Sequence, residues 1–443
     1  MSASRLDPDV KAQAQELLDF IDASPSPWHA VATMETHLSM PGFRRLEESE
    51  RWILRPGGRY YVVRDDSSII AFVVGAGALA ETGFRIVGAH TDSPGLRVKP
   101  NGPNRAGRMA RLGVEVYGGP ILATFTDRDL GLAGRVTLND EHGTLETRLL
   151  DFERPLVRLP NLAIHMNRTV NEEGLRLDKQ KELPVILSVL EESLSPRDRF
   201  LELLSVRLGC ESAAIRSWDL NLYDTQKGAF WGPGDMFLAD SQLDNLASCH
   251  AALVALLDDA ALSADSTAVC AFFDHEEVGS RSMKGADGRF LPDILERIAF
   301  GLKVDPEGYK QALARSFLVS ADMAHAWQPN FPAAYEPDHH AIVNDGPVIK
   351  VNANLRYTSE SISEAIFMHL CEQADVPCQK YSHRTDIPCG STIGPMASAA
   401  LGIRSVDVGN PMWAMHSIRE SAGVLDHTDM IEVLRCFFCS DAL

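Results

Sequence analysis

Four continuous apolar runs constrain the fold of this chain more than any other feature of its sequence. These runs are FRIVGA (84–89), TAVCAFF (267–273), SFLVSA (316–321) and IRSVDVG (403–409). They are unbroken rather than alternating, which is typical of strands that are buried on both faces of a largely parallel sheet. Helical patterns lie between them, for example at 244–262 and 361–374. Strands and helices in alternation predict an α/β layer architecture.

The segment from 94 to 235 has a different character. It is dense in Gly, Pro and Arg, and it contains short alternating stretches such as RLGVEVYG and GRVTLND, with one helical piece at 195–209. A chain of 443 residues is also too long for one ordinary hydrophobic core. We therefore predict an α/β domain formed by 1–93 and 236–443, interrupted by an inserted β-rich domain at 94–235.

Charge and hydropathy exclude two classes of partner. The 42 Lys and Arg residues against 61 Asp and Glu residues give a formal charge of −19, whereas nucleic-acid binding needs a basic surface. No run approaches the roughly 18 apolar residues that a membrane span requires. We expect no nucleic acid and no membrane among the partners of this protein.

The cysteines and the N-terminus indicate a reducing compartment. The N-terminus predicts a polar amphipathic helix and lacks the cationic start and apolar centre of a signal peptide. The eight cysteines are scattered, and CFFC, with Cys436 and Cys439, has no second pair. A core helix is the better interpretation of this pair than a metal or redox site. We therefore expect a cytoplasmic protein with reduced cysteines.

Each of the four apolar runs is followed by a residue that can bind a metal. These residues are His90 after the first run, Asp274–Glu277 after the second, Asp322 after the third and His416 in the loop after the fourth. In an open α/β sheet, the loops that leave the carboxyl ends of parallel strands converge on one crevice. Asp244, at the start of a helical pattern, supplies a further carboxylate. Nitrogen and oxygen donors without thiolate suit a divalent metal used in hydrolysis.

The stretch DHEEVGS (274–280) begins like the HExxH zinc motif but has Gly279 where the second histidine belongs. Two zinc ions a few Å apart need a bridging carboxylate, further His or carboxylate ligands, and one open position each. Hydrolysis also needs a carboxylate base that is not itself a ligand. Glu276 and Glu277 can divide these roles, because neighbouring side chains point in different directions. Asp92 can hold the second imidazole nitrogen of His90.

Each of these residues, taken alone, also has a simpler interpretation. Taken alone, a histidine such as His90 is more often a hydrogen-bonded turn residue, Asp244 is more often a helix N-cap, and paired glutamates are more often part of a solvated turn. Asp322 alone is compatible with an ordinary loop carboxylate, and His416 with a packed core histidine. The coincidence of metal-competent residues at the ends of several apolar strands favours the metal centre.

Seven motifs occur in order between residues 88 and 420. They are GAHTDSPGLRVKP, LDNLAS, DHEEVGS, SADMAHA, GPVIKVN, PCGSTIGP and AMHSIRE. Together they resemble the aspartyl aminopeptidases, a family of dizinc exopeptidases. The resemblance implies a three-layer α/β catalytic domain of the dizinc exopeptidase type, with an inserted β-rich domain that mediates dimerisation and substrate access. Dimers of this family typically assemble further into a dodecamer.

The resemblance also implies roles for individual residues. The implied metal ligands are His90 and Asp322 on one zinc, Glu277 and His416 on the other, and Asp244 as the bridge. Glu276 is the implied general base, and Asp92 remains the partner that orients His90.

Two further residues take their roles from the resemblance. His165, in NLAIHMNRTVN, is similar to a family histidine that reaches the active site of a neighbouring subunit and polarises the scissile carbonyl or its oxyanion. Lys350, in GPVIK, resembles the residue that binds an acidic P1 side chain. From the sequence alone, a lysine that lays its stem along a strand edge is an equally good interpretation of Lys350.

The sequence therefore predicts a cytoplasmic aminopeptidase with two zinc ions that removes N-terminal Asp or Glu from peptides. Cobalt and manganese also accept such ligands. The nearest alternative is a dizinc aminopeptidase or deacylase with another substrate preference. A more distant alternative is a non-catalytic assembly or cargo protein that keeps metals for structure. Glu276 argues against the latter, because the ligand set does not need it.

Overall fold

The structure, a computed structural model, describes residues 8–140 and 142–440. Its α-helices are α1 Pro8–Asp22, α2 Pro27–Ser39, α3 Leu79–Thr82, α4 Val170–Glu173, α5 Pro196–Leu208, α6 Leu243–Leu256, α7 Phe290–Gly301, α8 Pro306–Ala314, α9 Ser361–Gln373, α10 Gly394–Leu401 and α11 Val424–Cys439. Its strands are β1 Arg44–Arg45, β2 Arg59–Arg64, β3 Ser68–Val73, β4 Phe84–His90, β5 Gly95–Ala106, β6 Met109–Tyr117, β7 Leu130–Asn139, β8 Leu145–Asp151, β9 Val185–Val189, β10 Ile215–Asp224, β11 Ala229–Trp231, β12 Phe237–Asp240, β13 Thr267–Phe273, β14 Phe317–Ala321, β15 Ala324–His325, β16 Val348–Val351, β17 Gln379–Ser382, β18 Arg404–Gly409, β19 Pro411–Trp413 and β20 Glu420–Gly423.

The chain divides into two compact units. The first runs to Asp92, continues through Gly228–Met415 and resumes at Glu420, while the second comprises Ser93–Lys227 and His416–Arg419. Residues 1–7 and 441–443 of the predicted α/β domain, and residue 141 of the predicted insert, lie outside the described residues. The domain limits 93/94 and 235/236 and the dimerisation role of the insert stay predictions.

The first unit is built on a nine-stranded sheet in the order β1-β2-β3-β13-β4-β14-β18-β16-β17. The four central strands β13, β4, β14 and β18 are parallel to one another, and they coincide with the four apolar runs of the sequence. The strands on either side of this centre, β3 and β16, run antiparallel to it. The predicted α/β class is confirmed, and the antiparallel strands add the edges that the apolar runs did not predict.

Successive residues of the central strands face two different helical layers. Val87 of β4 packs in the same apolar cluster as α6 and α11, whereas Ile86 packs in the cluster that contains α7 and α10. Every residue of β4 and β13 is buried, because helices cover both faces of the sheet. This arrangement makes both faces apolar and leaves the strand ends as the place for polar side chains.

A smaller sheet in the first unit contains five strands in the order β11-β12-β20-β19-β15. Cys436 and Cys439 lie in the last turns of α11, whose Phe437 and Phe438 are buried, in agreement with the predicted core helix. No helix in the described part of the chain combines the length and the apolar character needed to cross a membrane.

The second unit contains a six-stranded sheet in the order β8-β7-β10-β5-β6-β9, and every pair of neighbours in it is antiparallel. The predicted alternating stretches lie in β6 and β7, and the predicted helical piece corresponds to α5. Leu132 and Val136 of β7 are buried in one cluster with Phe200 and Leu204 of α5. The alternation in the sequence therefore corresponds to strands that bury one face against a helix.

Candidate metal centre

The carboxyl ends of three adjacent strands carry the polar residues of the site. His90 is the last residue of β4, Asp274 follows β13 directly, and Asp322 follows β14 directly. These three strands are parallel neighbours in the large sheet, so their carboxyl ends lie side by side. The backbone topology alone therefore brings these segments to one edge of the first unit.

His90, Asp244 and Asp322 form a buried cluster. The Nε2 atom of His90 lies 3.3 Å from Oδ1 of Asp244 and 3.6 Å from Oδ1 of Asp322. One nitrogen or oxygen donor from each residue lies within 4.8 Å of the other two. The relative exposure of these residues is 1%, 3% and 8%. An imidazole and two carboxylates at such distances can share one metal ion.

The two glutamates lie in a tight turn beside the same imidazole. Donor atoms of His90, Glu276 and Glu277 also lie within 4.8 Å of one another. The turn is a single 3-10 turn, Glu276–Val278, between two residues with left-handed backbone, His275 (φ 68°) and Gly279 (φ 94°). His275 does not join these clusters; its Nδ1 atom contacts the hydroxyl of Ser282 at 2.9 Å.

Asp92 holds this turn through both of its carboxylate oxygens. Oδ1 accepts the backbone N–H of Glu276 and Oδ2 accepts that of Glu277, each at 3.1 Å. The Nδ1 atom of His90 lies 2.9 Å from the backbone oxygen of Asp92 and 3.5 Å from its carboxylate. Asp92 therefore contacts both the imidazole of His90 and the turn of the two glutamates.

Burial and close charges perturb the pKa values in this cluster. Burial acts to lower the pKa of His90, but contacts with Asp244, Asp322 and Asp92 outweigh it and hold the pKa well above its usual value. Burial raises the pKa of Glu276 well above its usual value; nearby carboxylates add to this and His90 opposes it. Several carboxylates buried together are unfavourable unless cations compensate them. The donor set therefore fits a divalent metal ion.

Two contacts that the sequence does not reveal fix the start of α6. The buried Glu420 of β20 accepts the backbone N–H of Asp244 at 3.0 Å, and the side chain of Asn245 donates to the backbone oxygen of Ala321 at 2.8 Å. Glu420 is the last residue of the AMHSIRE motif, and Asn245 lies within LDNLAS. The motifs contained these residues, but only the fold shows what they contact.

Lys350 is buried beside Asp322. Its Nζ atom donates to the backbone oxygens of Asp322 (2.8 Å) and Met323 (3.2 Å), and it lies 3.7 Å from Oδ2 of Asp322. The ring centre of Tyr357 is 5.3 Å away. The residue is only 3% exposed, so its ammonium group is turned into the protein rather than towards water.

The two remaining predicted residues group with the second unit. His416 lies in the connection between β19 and β20, has a φ of 68°, and its Nδ1 atom contacts the backbone oxygen of Gly119 at 3.1 Å. His165 lies in an exposed turn that is closed by a 2.8 Å hydrogen bond from Met166 N–H to the oxygen of Ala163. Their roles as metal ligand and carbonyl-polarising residue stay predictions.

The chain is similar over most of its length to known peptidases. A family model described as "Aminopeptidase I zinc metalloprotease (M18)" matches residues 20–438. A probable M18 family aminopeptidase 2 from Pseudomonas paraeruginosa is 46% identical over 433 residues, which cover 97% of this chain and 98% of the relative. In the cryo-EM structure of the Ape4 and Nbr1 complex, the matching chain has a TM-score of 0.94 and 37% identity, with 98% of this chain and 87% of that chain covered. The S. cerevisiae mApe1 dodecamer matches with a TM-score of 0.84 and 26% identity, over 96% of each chain.

Proposed function

Because the chain belongs to the M18 family of zinc metallo-aminopeptidases, we propose that it removes N-terminal Asp or Glu residues from peptides at a two-zinc centre. The observation that carries this proposal is the cluster of one imidazole and four carboxylates at the strand ends and at the start of α6 in the first unit. These side chains belong to His90, Asp244, Glu276, Glu277 and Asp322. Glu276 distinguishes the cluster from a structural metal site, because the proposed ligand set is complete without it.

In this proposal, His90 and Asp322 would hold one zinc ion, Glu277 and His416 would hold the other, and Asp244 would be the ligand that they share. Asp244 suits the bridging role because its backbone is held by Glu420. Zinc bound there would polarise the scissile carbonyl and lower the pKa of a water molecule. Side chains of the protein would transfer the proton, bind the acidic side chain of the substrate and stabilise the oxyanion.

Glu276 takes a proton from the attacking water and passes it to the leaving amine. A base that works in both directions must keep its carboxylate within hydrogen-bond reach of both oxygen and nitrogen. Asp92 supports this role because it holds the N–H groups of Glu276 and Glu277 with separate oxygens. In this proposal, Glu277 would serve as a metal ligand and Glu276 would act on the water.

Lys350 binds the acidic side chain of the substrate. A carboxylate that enters a region rich in Asp and Glu needs a cation close by, and Lys350 is a buried cation beside Asp322. Because this lysine is shielded from water, a charge-assisted hydrogen bond to it is stronger than one at the surface. A leucine side chain of the substrate would gain no charge interaction with this ammonium group, and a lysine side chain would be repelled by it.

We further infer a homo-oligomer in which His165 of one copy stabilises the oxyanion in the site of another. The side chains of Leu162 and Met166, on either side of His165, are 67% and 75% exposed. Exposed apolar residues this close together favour burial against a second copy. Dimers assembled into a dodecamer are our proposal for the whole, because the similar mApe1 was solved as a dodecamer. A cytoplasmic location belongs to the same proposal, since the eight cysteines, which all lie in the described part of the chain, form no disulfide there.

A substrate panel with metal analysis tests the function. We expect purified protein to contain two zinc ions per chain and to cleave Asp and Glu anilides faster than Leu and Lys anilides. Lys350→Met should lower kcat/KM on the acidic substrates by about 100-fold, because a buried charge pair is lost, and should spare the Leu substrate. Lys380→Met is the matched control, since Lys380 lies on the neighbouring strand but is half-exposed and paired with Glu364.

The possible outcomes separate the alternatives. Fast Leu cleavage with negligible Asp cleavage would contradict the acidic specificity and leave an aminopeptidase of another preference. Metal-loaded protein that cleaves none of the four substrates would favour a metal-stabilised assembly protein.

A further inference from the structure

One buried lysine connects three loops around the candidate metal centre. Lys284 lies between β13 and α7, and its side chain is 5% exposed. Its Nζ atom lies 2.6 Å from the hydroxyl of Ser67, 2.8 Å from the carboxylate of Asp65 and 2.9 Å from that of Asp274. None of these residues belongs to the proposed ligand set or contacts substrate in the proposed mechanism.

Asp274 links Lys284 to the turn that contains Glu276 and Glu277. Oδ1 of Asp274 accepts the backbone N–H of His275 at 2.8 Å, while Oδ2 is the oxygen that faces Lys284. The hydroxyl of Ser68 accepts the N–H of Asp274 at 2.8 Å and donates to the backbone oxygen of Lys284 at 3.0 Å. His275 has left-handed backbone and directly precedes Glu276, so its orientation decides where the glutamate points.

Ser67 links Lys284 to the loop after β4, which follows the proposed metal ligand His90. While the hydroxyl of Ser67 contacts Lys284, its backbone oxygen accepts the hydroxyl of Thr91 at 2.7 Å. Thr91 lies between His90, a proposed ligand, and Asp92, which holds the turn of the two glutamates. The loop after β4 and the turn after β13 are therefore both tied to Lys284.

The energetics of this ion pair favour a positioning role over a purely structural one. Asp274 is fully buried, and an ionised carboxylate at that depth is strongly unfavourable unless a cation compensates it. An apolar pair of similar volume would be as stable or more stable at such a site. What an apolar pair could not do is accept the N–H of His275 or hold the hydroxyl of Ser67.

We propose that Lys284 is a positioning residue for hydrolysis, which sets the distance between Glu276 and His90 through Asp274 and Ser67. This inference rests on the proposed role of Glu276 as the base. Displacement of a reacting group by about 1 Å costs on the order of 100-fold in rate. Loss of Lys284 should therefore lower kcat while substrate affinity and metal binding remain.

The experiment compares four variants for zinc content, thermal stability, kcat and KM. Lys284→Met should lower kcat by about 100-fold and leave KM and zinc content within about twofold of wild type. Lys284→Arg should recover much of kcat, because guanidinium also pairs with carboxylate. The double variant, Lys284→Met with Asp274→Leu, should be more thermally stable than Lys284→Met alone but should have the same low kcat. Arg281→Met is the control, since Arg281 lies in the same loop with its side chain 87% exposed.

A purely structural role gives a different pattern. If the loss of kcat follows the loss of stability in each variant and vanishes in the double variant, the proposal is overturned. Glu276→Gln, measured in parallel, separates failure of the proposed function from failure of this inference. Should Glu276→Gln keep wild-type turnover, the base assignment is wrong, and Lys284 does not position a base in the way proposed here.

Discussion

At the scale of single residues, Asp92 shows how two adjacent glutamates can have different tasks. Each of its carboxylate oxygens accepts one N–H group, from Glu276 and Glu277 respectively. One carboxylate therefore holds the backbone N–H groups of both glutamates. His90 contacts the same residue through the main-chain oxygen of Asp92. One residue thus links a proposed ligand to the proposed base.

Glu276→Gln should keep its zinc and its stability but lose turnover. Glutamine has nearly the same shape and keeps the backbone contact with Asp92, but it cannot accept the proton from water. The expected fall in kcat is about 10²- to 10⁴-fold, the usual contribution of a general acid–base group. Metal analysis and steady-state kinetics on an Asp anilide measure this, with Glu296→Gln on α7 as an exposed control. Turnover like that of wild type would rule out Glu276 as the base.

At the scale of elements, the contact between α6 and α11 contains a buried histidine pair. His250 of α6 and His427 of α11 are 1% and 2% exposed, and Nδ1 of His250 lies 2.9 Å from Nε2 of His427. Burial lowers the pKa of His427 from 6.5 to about 3. Burial, together with the nearby His427 and His37, lowers the pKa of His250 well below its usual value. Both rings are neutral in the folded protein at neutral pH.

These depressed pKa values predict that stability falls as the solution is acidified. The unfolded chain gains protons on these rings below pH 6.5, whereas the folded chain does not, so the stabilisation is present above that pH and is lost as pH falls towards 3. The maximum slope is about 1.4 kcal/mol per pH unit for each histidine. Between pH 7 and pH 5, His427→Gln should lose about 2 kcal/mol less unfolding free energy than wild type.

Urea unfolding at several pH values measures this difference. His142→Gln, at an exposed position of the second unit, should keep the pH dependence of wild type. An identical slope for His427→Gln and wild type would show that the pair takes no part in acid destabilisation.

At the scale of the whole molecule, the proposed activity depends on more than one segment and more than one copy. The first unit supplies most of the proposed ligands together with Glu276 and Lys350. His165 and His416 both group with the second unit. Their proposed roles rest on the resemblance of the surrounding motifs to those of the family. The exposed apolar side chains around His165 support an oligomer in which this turn is covered.

Complementation between two inactive variants tests whether His165 acts in a neighbouring subunit. His165→Ala and Glu276→Gln should each be inactive alone while keeping their zinc. After the two variants are unfolded together and refolded, mixed dimers contain one site with both an intact Glu276 and a His165 from the other copy. Random mixing should restore about a quarter of wild-type activity.

The controls for this experiment are each variant refolded alone and the two mixed without unfolding. If the refolded mixture stays as inactive as its components, His165 does not act across subunits. Full activity of an isolated, zinc-loaded monomer would contradict the same prediction.

The central sheet could be predicted from the sequence because a strand that is buried on both faces appears as a continuous apolar run. A strand such as β4 or β13 that is covered on both faces must be apolar throughout, and its end is marked by the first polar residue. His90, Asp274 and Asp322 were found for this reason, and the ordered motifs identified the family, which is confirmed. The antiparallel strand β16 was not predicted, because it has only four residues, one of them Lys350. The antiparallel strand β3 is as apolar as the four runs, but an apolar sequence alone does not give the direction of a strand.

The contacts between segments that are distant in the chain could not be read from the sequence and are seen only in the folded protein. Lys284 meets Asp65 across 219 positions, and Asp244 meets Glu420 across 176. The carboxylate of Asp92 also holds the turn of the two glutamates, a contact that the sequence did not predict. The physical reason is that periodicity reports only whether a side chain is buried. Which partner it meets depends on how the turns and strand ends come together in three dimensions.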